Sequence, residues 1–196
     1  MKITVSNLPW AKRHKRKFDG IISIEDASIK NGLRFHNATN TKHLILRFED
    51  NDSKLDIEND KNGLPNRHDV EKAVFFARDF AKDTDNLLIH CYAGISRSTA
   101  IALCVLSDHN RHKSPEELLK ELYEISPTAV PNLRVLSLYE KIFDKQGFVS
   151  SVLAAELSCP EKIEIRKRRS RAGNGIEEKD VKNFLQKTFL QIEQNM

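Results

Sequence analysis

Apolar positions mark three short strand-like stretches in the first quarter of the chain: residues 2–6 (KITVS), 18–26 (FDGIISIED) and 43–48 (HLILRF). The first alternates apolar and polar residues, and all three have the length and composition of strands. A fourth stretch, residues 86–90 (NLLIH), holds a short apolar run at 87–89, as in a strand buried on both faces. Between the third and fourth runs, Val70, Ala73, Val74, Ala77, Phe80 and Ala81 recur at helical spacing, predicting a helix over 66–83. Residues 98–108 are apolar nearly all round, which predicts a helix in the middle of a core. Ser114, Pro115 and Glu117 carry the signature of a capping box at the start of the next helix. Asn132, after Pro131, caps a further helix over 132–145. Strands and helices thus alternate to about residue 145. The expected fold is α/β: a central, mainly parallel sheet of about four to five strands with helices on both faces.

The pattern changes after residue 146, so the chain divides into a domain over 1–146 and a charged C-terminal extension over 147–196. Residues 147–159 (GFVSSVLAAELSC) fit a short helix. Residues 160–180 are charged and punctuated by glycine, and read as loop or disorder. Val181, Phe184, Leu185, Phe189, Leu190 and Ile192 then mark an amphipathic helix over 180–194, which packs back on the domain or binds a partner.

Composition narrows the class. With 196 residues, 39% hydrophobic and 31% charged, the chain reads as globular with a charged surface. No apolar run approaches the roughly 18–20 residues that span a bilayer. The N-terminus lacks the apolar segment and cleavage site of a secretory signal, and a cytoplasmic location is expected. Three cysteines with no CxxC pair argue against a disulfide framework and a zinc site. The net charge of +4 comes from basic runs at 12–17 and 166–171. Such runs are usually solvated loop or tail, and they could also contact an acidic partner. Neither requires a nucleic acid.

The candidate chemistry sits in HCYAGISRS, residues 90–98. The order is strand, tight loop, helix. A helix N-terminus after a strand offers free N–H groups and a positive dipole end, and a curled loop adds a nest of amides. Gly94 lets the loop bend. Arg97 supplies a planar fork for two phosphate oxygens. The same groups favour a thiolate at Cys91, the nucleophilic form of cysteine, which could form a phosphocysteine that water then hydrolyses. Ser98 can donate to the sulfur when it leaves. By contrast, Cys104 lies in the apolar helix and reads as core, and Cys159 has no assigned role. His109 and His112 read as helix-end surface, not as a metal site.

HCYAGISRS resembles the HCx5R signature of the protein tyrosine phosphatase superfamily and is most similar to its dual-specificity branch. The PN pair at 131–132 is similar too. The resemblance covers roughly residues 18–145. It implies hydrolysis of phosphotyrosine, with or without phosphoserine and phosphothreonine. No metal-ligand cluster is visible in the sequence, so no metal and no cofactor are expected. It also implies that Tyr92, Ala93, Gly94, Ile95, Ser96 and Arg97 wrap the phosphate and that His90 orders the loop. The family sets an aspartate on a loop after a strand, two residues past its last apolar position, as proton donor to the leaving group. Phe48 is that position here, which selects Asp50, with Asp52 as runner-up and Glu49 third. The long segment 51–66 is expected at the rim of the cleft. The extension after 146 is expected to be dispensable for chemistry. A phosphatase of a non-protein substrate (phosphoinositide or RNA 5'-phosphate) and a weakly active phosphopeptide-binding module are the competing readings.

Overall fold

The computed structural model describes residues 1–26, 32, 41–52, 63–80 and 86–176. Strands β1 (Lys2–Asn7), β2 (Gly20–Glu25), β3 (Lys42–Arg47) and β4 (Asn86–Cys91) form one sheet in the order β1-β4-β2-β3. Every neighbouring pair is parallel, as the α/β pattern requires. The two central strands carry the most apolar sequence: Ile21, Ile22, Ile24 and Leu87–Ile89 are all buried. Edge strand β3 keeps Leu46 inside and exposes Lys42 and Arg47. Registers set Asn7 beside Cys91 and Ser23 beside His90, so the C-terminal strand ends gather at one edge.

Helices cover the two sheet faces unequally. Ile21 and Leu88 turn to one face, packing with Leu8, Ala11 and Phe18 around α1 (Leu8–His14). Ile22, Ile24, Leu87 and Ile89 turn to the other, which holds the main core. There lie α2 (Arg67–Phe80), α3 (Arg97–His109), α4 (Pro115–Ile125), α5 (Leu133–Phe143) and α6 (Phe148–Leu157). The expected central helix is α3, buried from Arg97 to Ser107. The expected capping box opens α4. Asn132 caps α5 by accepting the Val135 N–H at 3.1 Å.

The expectation of loop from residue 160 is corrected. Residues Pro160–Arg171 form helix α7, packed against α6. Proline at the first helical position, Glu161 in the first turn and Arg168, Arg169 and Arg171 in the last suit the helix dipole. Gly173, at φ +74°, follows the end. Its buried face is cationic: Lys162 and Arg166 bury their stems. Lys162 Nζ donates to the carbonyls of Pro127 and Ala129, both at 2.7 Å, and lies 4.0 Å from the centre of the Tyr123 ring. The basic run at 166–171 is therefore not simply solvated. In the run at 12–17, Lys12, Arg13, Arg16 and Lys17 do face solvent. Most of the expected rim segment and the expected amphipathic helix over 180–194 lie outside the described residues. Among the described residues no helix is long and apolar enough to cross a membrane.

Candidate active site

Cys91 ends β4, residues 92–96 form the loop, and α3 begins at Arg97. The thiol is buried, 1% exposed. Its Sγ accepts the Gly94 N–H at 3.2 Å and lies 3.3 Å from Ser98 Oγ. Gly94 is required twice over. Its φ is +75°, and a β-carbon there would come within 2.7 Å of the backbone of Ser6 and Asn7. The loop carbonyls are engaged outward. Tyr92 O accepts the Leu8 N–H at 3.1 Å, Ile95 O the Val130 N–H at 2.9 Å and Ser96 O the Asn132 N–H at 3.3 Å. Thr99 Oγ1 donates to Ile95 O and Ser96 O. An anion nest needs loop carbonyls engaged elsewhere in this way, so that the loop N–H groups can line it.

Arg97 is 4% exposed. Its Nη1 donates to Asp26 Oδ1 at 2.5 Å and to Phe48 O at 2.9 Å. Its Nε is buried with no partner among the described residues. The guanidinium is thus fixed along one side, with the Nε donor left open. A buried donor without a partner is costly, and an anion such as a phosphate oxygen would satisfy it.

Behind the thiol, burial lowers the pKa of His90 to about 4, so the ring is neutral near pH 7. Its Nδ1 lies 3.4 Å from Cys91 O, and its Nε2 lies 2.7 Å from Ser23 Oγ, which is 2.7 Å from His43 Nε2. One tautomer satisfies the whole chain: Nδ1–H donates to Cys91 O, Ser23 Oγ–H donates to Nε2, and His43 donates to Ser23. The strand end carrying Cys91 is braced from β2 and β3.

The acidic loop after β3 separates the three candidate proton donors. Asp50 Oδ1 accepts from Ser96 Oγ at 2.7 Å, Asn132 Nδ2 at 3.1 Å and Arg169 Nη2 at 3.0 Å. Ser96 belongs to the cysteine loop, so Asp50 is tied to it directly, and its side chain remains 32% exposed. Asp52 is 0% exposed. It accepts the Leu133 N–H at 2.9 Å at the start of α5 and pairs with Arg166 at 3.0 Å and Arg169 at 3.1 Å. It has no surface from which to meet a leaving group. The Glu49 N–H is spent on Gly63 O. Cys104 is fully buried, which pushes its thiol pKa well up. His109 and His112 are exposed. Among the described residues no cluster of His, Cys, Asp and Glu could hold a metal ion.

No family model matches the chain. The dual specificity protein phosphatase YVH1 of Plasmodium falciparum (isolate 3D7) is 35% identical to it over 136 residues. That stretch covers 66% of this chain and 21% of YVH1, so the chain spans about a fifth of that relative's length. Human DUSP28 shares the fold at a TM-score of 0.54 and 16% identity, over 72% of this chain and 91% of that one. PTPMT1 in complex with PI(5)P shares it at 0.50 and 20%, over 79% and 94%. The chain is thus similar in sequence to part of a dual specificity protein phosphatase and shares the fold of DUSP28 and PTPMT1. Within this fold, sequence reasoning missed the neighbours that hold the site: Asp26, Ser23, His43, Asn132 as a donor to Asp50, and Arg169. Asp26 directly follows β2 at the carboxyl edge of the sheet, a position that could have flagged it. Arg169 lies 72 residues beyond Arg97, in a segment read as loop, and gave no signal.

Proposed function

We propose that the chain is a cysteine-dependent phosphatase that hydrolyses phosphotyrosine on proteins, with or without phosphoserine and phosphothreonine. The observation that carries this reading is the open, buried Nε donor of Arg97 in the same loop-to-helix turn whose Gly94 N–H donates to Cys91 Sγ. In the first step Cys91 Sγ attacks phosphorus and the ester bond to the tyrosine oxygen breaks. The loop N–H groups and Arg97 hold the non-bridging oxygens as charge redistributes over them. Asp50 gives its proton to the departing oxygen. In the second step water attacks the phosphocysteine, Asp50 takes a proton from that water, and the thiolate leaves with Ser98 donating to the sulfur. One oxygen of Asp50 accepts all three of its hydrogen bonds, which orients the carboxyl and leaves Oδ2 for the transferred proton.

A phosphoinositide substrate is the second reading, favoured by the fold shared with PTPMT1, whose complex holds PI(5)P. The cysteine loop weighs toward protein substrates, because Tyr92, Ala93, Ile95 and Ser96 add no cation for a second phosphate. Turnover of a phosphopeptide panel and a phosphoinositide panel by the purified chain tests the choice. Higher kcat/KM on phosphotyrosine peptides is expected, and higher kcat/KM on phosphoinositides would overturn it.

A further inference from the structure

Helix α7 lies beyond the segment that carries the phosphatase signature, yet it sends two arginines, three residues apart on one face, into the acidic loop. Arg166 is the anchor. Its Nε and Nη2 donate to Glu156 at 2.5 and 2.6 Å, its Nη1 to Asp52 at 3.0 Å and its Nη2 also to Pro131 O at 2.9 Å. Asp52 in turn accepts the Leu133 N–H, so the loop, the start of α5, α6 and α7 meet on one buried group. Arg169 reaches further. Its Nη1 donates to Ser96 Oγ at 2.5 Å and its Nη2 to Asp50 Oδ1 at 3.0 Å, with its side chain 13% exposed.

We infer that Arg169 is a positioning residue for Asp50, and that α7 thereby supports the proton-transfer step of a site otherwise built before residue 133. The inference rests on the reading of Asp50 as general acid. Three donors fix the Asp50 carboxyl, and two of them, Ser96 and Asn132, are neutral. Arg169 is the charged one, and a charge-assisted hydrogen bond is roughly twice as strong as a neutral one. It also closes a triangle. Ser96 Oγ donates to Asp50 and accepts from Arg169, so one guanidinium fixes the acid and the cysteine loop relative to each other. Proton transfer depends on that relative placement, since an error of about 1 Å can cost roughly 10²-fold in rate. Arg166 is a poor probe, because losing one member of a buried ion group reports on folding. Arg169 also pairs with Asp52, at 3.1 Å, but is less buried than Arg166 and makes no contact with Glu156 among the described residues, so it carries the test, with urea denaturation of each variant read beside the kinetics.

The test uses the full chain with Asp50→Asn, Arg169→Gln, Arg169→Lys and the Asp50→Asn/Arg169→Gln double variant. Each is assayed for kcat and KM on phenyl phosphate, whose leaving group needs a proton, and on dinitrophenyl phosphate, whose leaving group needs little. Arg169→Gln should lower kcat on phenyl phosphate roughly 10- to 100-fold with KM nearly unchanged, and affect dinitrophenyl phosphate far less. Arg169→Lys should recover part of the loss. The double variant should be no worse than Asp50→Asn alone, because both changes remove the same function. If Asp50→Asn shows the leaving-group dependence and Arg169→Gln shows none, or an equal loss on both substrates, the inference is wrong and the reading of Asp50 stands. If Asp50→Asn itself shows no such dependence, the acid assignment fails, and the inference falls with it.

Discussion

The Nη1 of Arg97 is held by Asp26 and Phe48 O, and its buried Nε has no partner among the described residues. Lysine cannot reproduce this arrangement, because a single ammonium cannot hold the Asp26 side and still present a planar fork. Arg97→Lys should therefore lower kcat/KM on aryl phosphates by about 10²-fold or more. Near-normal efficiency would remove Arg97 from the phosphate site. At this scale the sequence was most informative where the site is local. Cys91, Gly94, Arg97 and Ser98 lie within eight residues of one another, and the strand–loop–helix order fixes their relation. The groups that brace them, such as Ser23, Asp26 and His43, come from other strands, and only the register of β2 against β3 and β4 brings them in.

Asn132 shows how one residue at an element's end serves two elements. Its Oδ1 caps α5 while its Nδ2 donates to Asp50. The two duties can be separated. Asn132→Ala loses both and should cost about 1 kcal/mol of stability from the cap in urea denaturation. Asn132→Asp keeps a capping oxygen but replaces the donor to Asp50 with a second carboxylate. It should hold stability closer to wild type while lowering kcat on phosphotyrosine peptides. Full activity in Asn132→Asp would mean that the contact with Asp50 is incidental. Legibility at this scale divides by the kind of signal. The caps of α4 and α5 and the apolar α3 were readable because capping and burial leave local patterns. Helix α7 was not, because its buried face is made of Lys162 and Arg166 and offers no apolar period. Its termini were the missed signal: Pro160 at the start and Gly173 just past the end.

Across the molecule, the parallel sheet lines up four strand ends, and the site is assembled where they meet the N-terminus of the most buried helix. The α/β alternation made that architecture legible. The unequal cover of the two faces was not, because it depends on which alternate residues of β2 and β4 face α1. Burying His90 behind the site has a consequence for the whole fold. Its ring binds a proton only near pH 4 when folded, against 6.5 for the ordinary group that the unfolded chain exposes. The unfolded state therefore takes up the proton first as pH falls. The stability that His90 contributes is present above about pH 6.5 and is lost on descent toward pH 4, on the order of 3 kcal/mol. Urea denaturation of wild type and His90→Asn at both ends of that window should show a steeper loss in wild type, and parallel curves would refute this. The central claim is that Cys91 performs the chemistry without a metal, and turnover of p-nitrophenyl phosphate by the purified chain in EDTA tests it most directly. Wild type should turn over, and Cys91→Ser should fall well below about a tenth of that rate while still binding vanadate. No turnover by wild type in EDTA, or a Cys91→Ser rate above that level, would contradict the account.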